Sequence, residues 1–198
     1  MRPEERPAAA LEPRVDDGEG SRASAAIRAL AEAARAGDRD AFARLYEIYG
    51  PVVHGILLSL VRRDDARELV NEVFLLALRG IARLEDVARF GPWLCSIARN
   101  CARDALKGRH EPAQISDDLA EPERGDASGD AEEAARVLAL VRALPEAYRE
   151  TLVLRLVEGL GGPEIAERTG MTPGSVRVNL CRGMKLLRER LGGAGGAR

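Results

Sequence analysis

The residues best suited to chemistry lie between Pro163 and Arg190. They are Ser175, Arg177, Val178, Asn179, Cys181, Arg182 and Lys185. None of them forms a nucleophile–base pair. The chemistry they suit is hydrogen bonding to nucleic acid: Arg donates two bonds to guanine, Asn pairs with adenine, and Arg and Lys neutralise phosphate. At helical spacing they share one outer face. The residues before them supply the mounting. Ile165 and Ala166 sit on a short first helix, small enough at Ala166 for a second helix to cross closely. Gly170 takes the turn conformation that side chains resist. Thr172 caps the second helix and Pro173 occupies its first turn. Val176 is placed to pack back onto Ile165. This is the pattern of a helix-turn-helix, whose second helix enters the major groove with its N-terminal half at base edges. A hairpin of helices that merely packs is the bland alternative. The glycine turn, the Thr-Pro cap and the Arg-rich outer face weigh against it.

A second basic stripe, Arg99, Arg103 and Lys107, repeats every four residues. Three carboxylates, Asp65, Glu68 and Glu72, share a helix upstream. Taken alone, either stripe is as a rule a solvated face. The carboxylates have no His or Cys partner at ligand spacing. Cys95, Cys101 and Cys181 form no CxxC pair and no metal set with His54 and His110. There is no Glu-x-x-His of the kind that builds metal centres in helical bundles. No catalytic residue, cofactor or metal site is expected, and the chain is not expected to be an enzyme.

The elements that position these faces follow from composition and period. The 198 residues are 45% hydrophobic but only 4% aromatic, and they favour Ala, Leu, Arg and Glu, which are helix formers. The fold class expected is all-α: two small helical domains joined by a flexible acidic linker, the C-terminal one a helix-turn-helix. The net charge of −2 conceals a segregation. Residues 99–110 carry four bases against one acid, and 163–190 six bases against three acids, whereas 111–133 carry nine acids and one base.

Along the chain, residues 1–36 read as a largely disordered N-terminal extension, with an Ala-rich stretch from 24 able to form a helix. Residues 37–110 form the first domain. Phe42, Leu45, Tyr46 and Tyr49 mark one helix face. Gly50-Pro51 is expected to break that helix, and a second runs from Pro51 to Val61. Asp64 is the candidate cap of a third, striped by Ala66, Leu69, Val70, Val73, Phe74 and Ala77. A charged loop, 81–91, precedes a fourth helix with Pro92 in its first turn. Residues 111–134 are the linker, 135–192 the second domain and 193–198 a flexible tail. The connector has no apolar residues that could glue the halves together, so two independent modules are expected. No apolar run approaches the roughly 20 residues that span a bilayer, and the first residues have no signal-type apolar core. A cytoplasmic protein without membrane insertion is expected.

Three ordered segments carry a resemblance: DDARELVNEVFLLAL, then FGPWLCSIARNCARDALKGR, then LPEAYRETLVLRLVEGLGGPEIAERTGMTPGSVRVNLCRGMKLLRERL. Together they resemble the extracytoplasmic-function branch of the sigma-70 family of RNA polymerase sigma factors, over about residues 38–110 and 135–191. The resemblance implies a factor that binds core RNA polymerase and directs it to promoters. Asp65, Glu68, Leu69, Glu72 and Val73 would dock on a basic coiled coil of the polymerase. Arg99, Asn100, Arg103, Asp104 and Lys107 would read and help open the −10 element. The loop 82–91, with Arg89 and the adjoining Phe90, would capture an extruded base, which costs a few kcal/mol of stacking. The helix-turn-helix would read the −35 element, and the acidic linker would thread the polymerase's RNA path. An anti-sigma protein is the further partner implied. Departures are Asn71 for the usual Gln, Leu78 for Trp or Tyr, and Asn179, Cys181 and Met184 where cations or larger rings are common. GGPE also replaces a Ser-containing cap. The competing reading is a helix-turn-helix regulator that is not a polymerase subunit. It calls for a receiver or ligand domain upstream, and no βα alternation is present there.

Overall fold

The computed structural model describes residues 17–108 and 129–194. The acidic segment expected to be a flexible linker lies mostly outside them, as does the end of the tail. Among the described residues there are eight α-helices and no strand: α1 Asp17–Arg35, α2 Arg39–Leu60, α3 Arg63–Gly80, α4 Phe90–Gly108, α5 Gly129–Arg142, α6 Glu146–Leu156, α7 Gly162–Thr169 and α8 Pro173–Ala194. Two short 3₁₀ turns, Ile81–Arg83 and Val87–Arg89, join α3 to α4. Helices α1–α4 make the first module and α5–α8 the second.

Local sequence explains most of the boundaries. The Asp38 carboxylate accepts the Asp40 and Ala41 N–H groups at 2.9 and 3.0 Å and so starts α2. Its Tyr46 and Phe42 rings meet Phe74 of α3, with centroids 4.3 and 6.3 Å apart. On α3, Ala66, Val70, Val73, Phe74 and Ala77 are buried at helical spacing.

Three expectations are corrected. Gly50-Pro51 does not end a helix; α2 runs through with Pro51 inside it. A proline in a helix interior costs about 3 kcal/mol. The next turns bury Val52, Val53, Ile56, Leu57 and Leu58, each contributing about 1.5–3 kcal/mol, so packing wins. The third helix starts at Arg63, and its N-cap is Arg62 with no side-chain cap; Asp64 lies inside the first turn. The N-terminal extension is not largely disordered throughout. From Asp17 it is helix α1, which seats the buried Ala31 and Ala34 in the core beside α2.

The expectation of two independent modules is corrected as well: among the described residues the two share a buried surface. Helix α6 lies on α2, and α7 on the start of α4. Gly55 of α2 makes the approach possible: a Cβ there would stand 2.7 Å from Leu154 Cδ2 and 3.0 Å from Glu158 Cγ. Arg142 Nε donates to the Leu58 carbonyl at 2.9 Å, and Arg168 Nη1 to the Ile48 carbonyl at 3.3 Å. His54 Nδ1 and Glu158 Oε1 are 2.8 Å apart. The Cys95 thiol donates to the Arg168 carbonyl at 3.6 Å. Burial pushes that thiol up to about 12, with the neighbouring Arg99 acting against the shift, so Cys95 stays protonated at neutral pH.

Candidate nucleic-acid interface

Helix α8 owes its orientation to the turn before it. Gly170 has φ +76°, a left-handed conformation that glycine takes without strain. The Thr172 hydroxyl oxygen accepts the Ser175 N–H at 3.1 Å and caps α8, while its O–H donates to the Ser175 hydroxyl at 2.8 Å. Ser175 is thus partly engaged in the cap. Ile165 and Val176 are both in the core. At the other end of α7 the Glu164 carboxylate accepts the Gly161 N–H at 2.8 Å. That is half of a capping box; glycine has no side chain for the other half.

This mounting leaves one face of α8 open. Ser175, Arg177, Val178, Cys181, Arg182 and Lys185 are exposed, and Asn179 is half-buried. Met184 turns partly into the core, so its departure from a basic residue is a packing choice. The exposed residues recur along the helix from its first turn, and three are cations. The face can meet phosphates throughout and base edges near its N-terminus.

The stripe on α4 is not equivalent. Arg103 and Lys107 are exposed, but Arg99 is half-buried and faces the second module. Its Nε and Nη2 donate to both oxygens of Glu150 on α6, at 2.9 and 2.8 Å. Such a forked, charge-assisted pair is among the stronger protein hydrogen bonds. The bond from Glu150 holds the Arg99 guanidinium even more firmly protonated than usual. Arg103 Nη1 donates to Asn100 Oδ1 at 2.8 Å, and Lys107 lies 3.5 Å from Asp104. Glu150 escaped sequence reading, because nothing local marks a carboxylate that pairs 51 residues away.

The loop before α4 lines a cleft of about 600 Å³, bounded by Gly80, Arg83, Leu84, Glu85, Asp86, Arg89, Pro92, Trp93 and Ser96. Arg89 is exposed there. Phe90 is not available to a ligand: it is fully buried, with its ring 5.3 Å from Tyr49 and 5.9 Å from Trp93. It begins α4 and anchors it. Arg83, Trp93 and Ser96 line the cleft as Arg89 does, and the stripe pattern did not single them out for this role.

On α3, Glu68 and Glu72 are exposed, Asp65 and Leu69 half-buried, and Val73 fully buried. Val73 therefore packs the core and cannot touch a partner. Leu75, Leu76 and Leu78 stand exposed beyond the carboxylates, at 47%, 40% and 48%. Three exposed leucines beside two exposed carboxylates make this face a candidate docking surface. The signal was present in the run FLLAL, which is too long to be buried by a single stripe. Asn71, beside them, accepts the Tyr46 hydroxyl at 3.2 Å.

Among the described residues no group of His, Cys, Asp and Glu could hold a metal ion, and no helix is long and apolar enough to cross a membrane.

Residues 45–111 match the family profile described as Sigma-70 region 2, and residues 134–187 the one described as Sigma-70, region 4. The chain is 39% identical to RNA polymerase sigma factor CarQ of Myxococcus xanthus, over 80% of this chain and 93% of CarQ. It is 31% identical to the ECF RNA polymerase sigma-E factor of Haemophilus influenzae, over 83% of this chain and 94% of that protein. A solved structure of CnrH in complex with the cytosolic domain of CnrY has the same fold, with a TM-score of 0.60 at 23% identity over 85% of this chain and 98% of that one.

Proposed function

This chain belongs to the extracytoplasmic-function branch of the sigma-70 family, and we propose that it divides promoter recognition between the faces just described. As a sigma factor it binds core RNA polymerase and directs it to promoters. The observation that carries the division is the pair of basic helical faces on separate modules, α4 and α8. The α8 face reads the −35 element through Ser175, Arg177, Val178, Asn179, Cys181, Arg182 and Lys185. Arg99, Asn100, Arg103, Asp104 and Lys107 of α4 engage the −10 element. The cleft beside them, lined in part by Arg89, receives an extruded base. The outer face of α3 docks on the polymerase through Glu68 and Glu72, with Leu75, Leu76 and Leu78 as its apolar contacts.

The compact arrangement of the modules is the form of the chain away from polymerase. Arg99 meets −10 phosphates only after leaving Glu150. An anti-sigma protein covers the apolar α3 face until then. The factor carries out no reaction itself and works in the cytoplasm.

The test is run-off transcription with core polymerase on genomic fragments. Promoter-specific initiation is expected, and it is expected to fall when Glu68 and Glu72 are both changed to Lys, with helicity unchanged. A chain that binds DNA but neither co-elutes with core polymerase nor supports initiation would instead be a separate regulator.

A further inference from the structure

Arg35 is the last residue of α1, and its side chain leaves its own helix. Its Nη1 donates to two consecutive carbonyls of the cleft loop, Leu84 at 3.1 Å and Glu85 at 3.4 Å. The rest of that loop secures itself at its two ends. The Leu84 N–H bonds to the Ile81 carbonyl, and the Ala88 and Arg89 N–H groups bond to the Asp86 side chain and carbonyl, all at 3.0 Å. Between them the Leu84 side chain packs against the core, and the carbonyls of the crest are held by Arg35.

The backbone that carries Arg35 is itself fixed. Gly37, with φ +100°, closes α1 by donating to the Ala34 carbonyl at 3.0 Å, and Asp38 then donates to the Ala33 carbonyl at 3.0 Å and caps α2. Ala31 and Ala34 bury the same turn. The guanidinium is therefore aimed from a rigid corner, and it approaches the loop without lining the cleft. Arg83, Arg89, Trp93 and Ser96 are left to face the space.

We infer that Arg35 is the positioning residue for the base-receiving cleft. It sets the height of the 84–85 crest, and with it how well an extruded base is held over the unstacked alternative. The inference rests on the base-capture reading of the cleft. A carbonyl tie of this kind touches no DNA, so it acts on selectivity at one promoter position and not on affinity in general.

The experiment uses holoenzyme assembled from the full chain and core polymerase. Abasic residues are scanned through the non-template strand of the −10 element of a promoter found by run-off transcription. The capture position is the one where wild-type initiation gains most from having a base. At that position Arg35→Ala is expected to shrink the advantage of base over abasic by about fivefold, the worth of one net hydrogen bond. On the abasic template the two proteins should initiate equally. Arg35→Lys, which keeps a charged donor, should restore most of the advantage. If Arg35→Ala keeps the full advantage, or lowers initiation equally on every template, the positioning role is overturned while base capture stands. If wild-type holoenzyme gains nothing from a base at any position, base capture itself fails and the inference falls with it.

Discussion

Helices α4 and α8 carry the same kind of chemistry in different states. On α8 the cations Arg177, Arg182 and Lys185 are exposed, and among the described residues no carboxylate of the other module lies upon them. On α4 the first cation of the stripe, Arg99, is held by both oxygens of Glu150. A ligand approaching α8 displaces water, whereas one approaching Arg99 must displace a protein carboxylate. The difference comes from which helix lies at the seam between modules. It teaches that a basic stripe specifies what a face is able to bind, and tertiary packing specifies when.

The largest change should come from wedging the seam open. The nearest atoms that a side chain at Gly55 would meet belong to Leu154 and Glu158 of the second module. Overpacking of this kind costs about 1–3 kcal/mol. Gly55→Leu should therefore raise the affinity of the free chain for a single-stranded −10 oligonucleotide by about ten- to a hundredfold. The expanded form should show a larger scattering radius, and Cys95, buried and protonated in the compact chain, should become open to alkylation. Unchanged affinity with a clearly larger radius would mean that Arg99 was never limiting.

A smaller change is expected from Glu150→Gln, which removes the negative charge and keeps a hydrogen-bond acceptor. The side chains of Arg99 and Glu150 are only 24% and 13% exposed, so the pair is not fully screened. Losing its charge component should weaken the seam by about 1 kcal/mol and raise −10 affinity roughly fivefold. The −35 affinity of the α8 face should not move. If both affinities rose together, the two faces would be coupled by more than this pair.

The parts legible in the sequence are those decided within a turn or two of helix. The Thr172-Pro173 cap, the Gly170 turn and the Ile165–Val176 packing are of this kind. So is the alternation that put Glu68 and Glu72 outside. Val73 and Phe90 were misplaced for a shared reason. Each adjoins exposed candidate site residues in sequence, but a shift of one position on a helix rotates a side chain by about 100°, here into the core. Pro51 misled because the cost of a proline is local and the burial that outweighs it is not. The Arg99–Glu150 and His54–Glu158 pairs join residues 51 and 104 positions apart. No periodicity records such contacts. The α1 helix was obscured because alanines give little apolar contrast, even where Ala31 and Ala34 are fully or nearly fully buried.

The smallest effects should appear on the open face, and they separate two arginines that look alike. Arg177 lies four residues after Pro173, the first residue of α8, and Arg182 lies more than a turn beyond it. Both are exposed. The N-terminal half of such a helix reaches base edges, so Arg177 is placed for a forked contact with guanine and Arg182 for the flanking phosphates. A base contact discriminates by about 1–3 kcal/mol. A phosphate contact adds affinity without preference. Arg177→Ala should therefore flatten the ranking of −35 variants. Arg182→Ala should lower all of them alike and reduce the salt slope of binding by about one unit. Neither change should alter the scattering radius of the free chain, because neither residue lies at the seam. The measurement is a matched set of −35 variants, each bound by holoenzyme at several salt concentrations. If Arg177→Ala lowered every variant by one common factor, Arg177 would be a phosphate contact and base reading would have to lie with Ser175 and Asn179. Asn179 is half-buried and the Ser175 hydroxyl is engaged in the cap, so a face left to those two would discriminate weakly. A strong −35 preference that survives in Arg177→Ala would thus count against the assignment of the face as a whole.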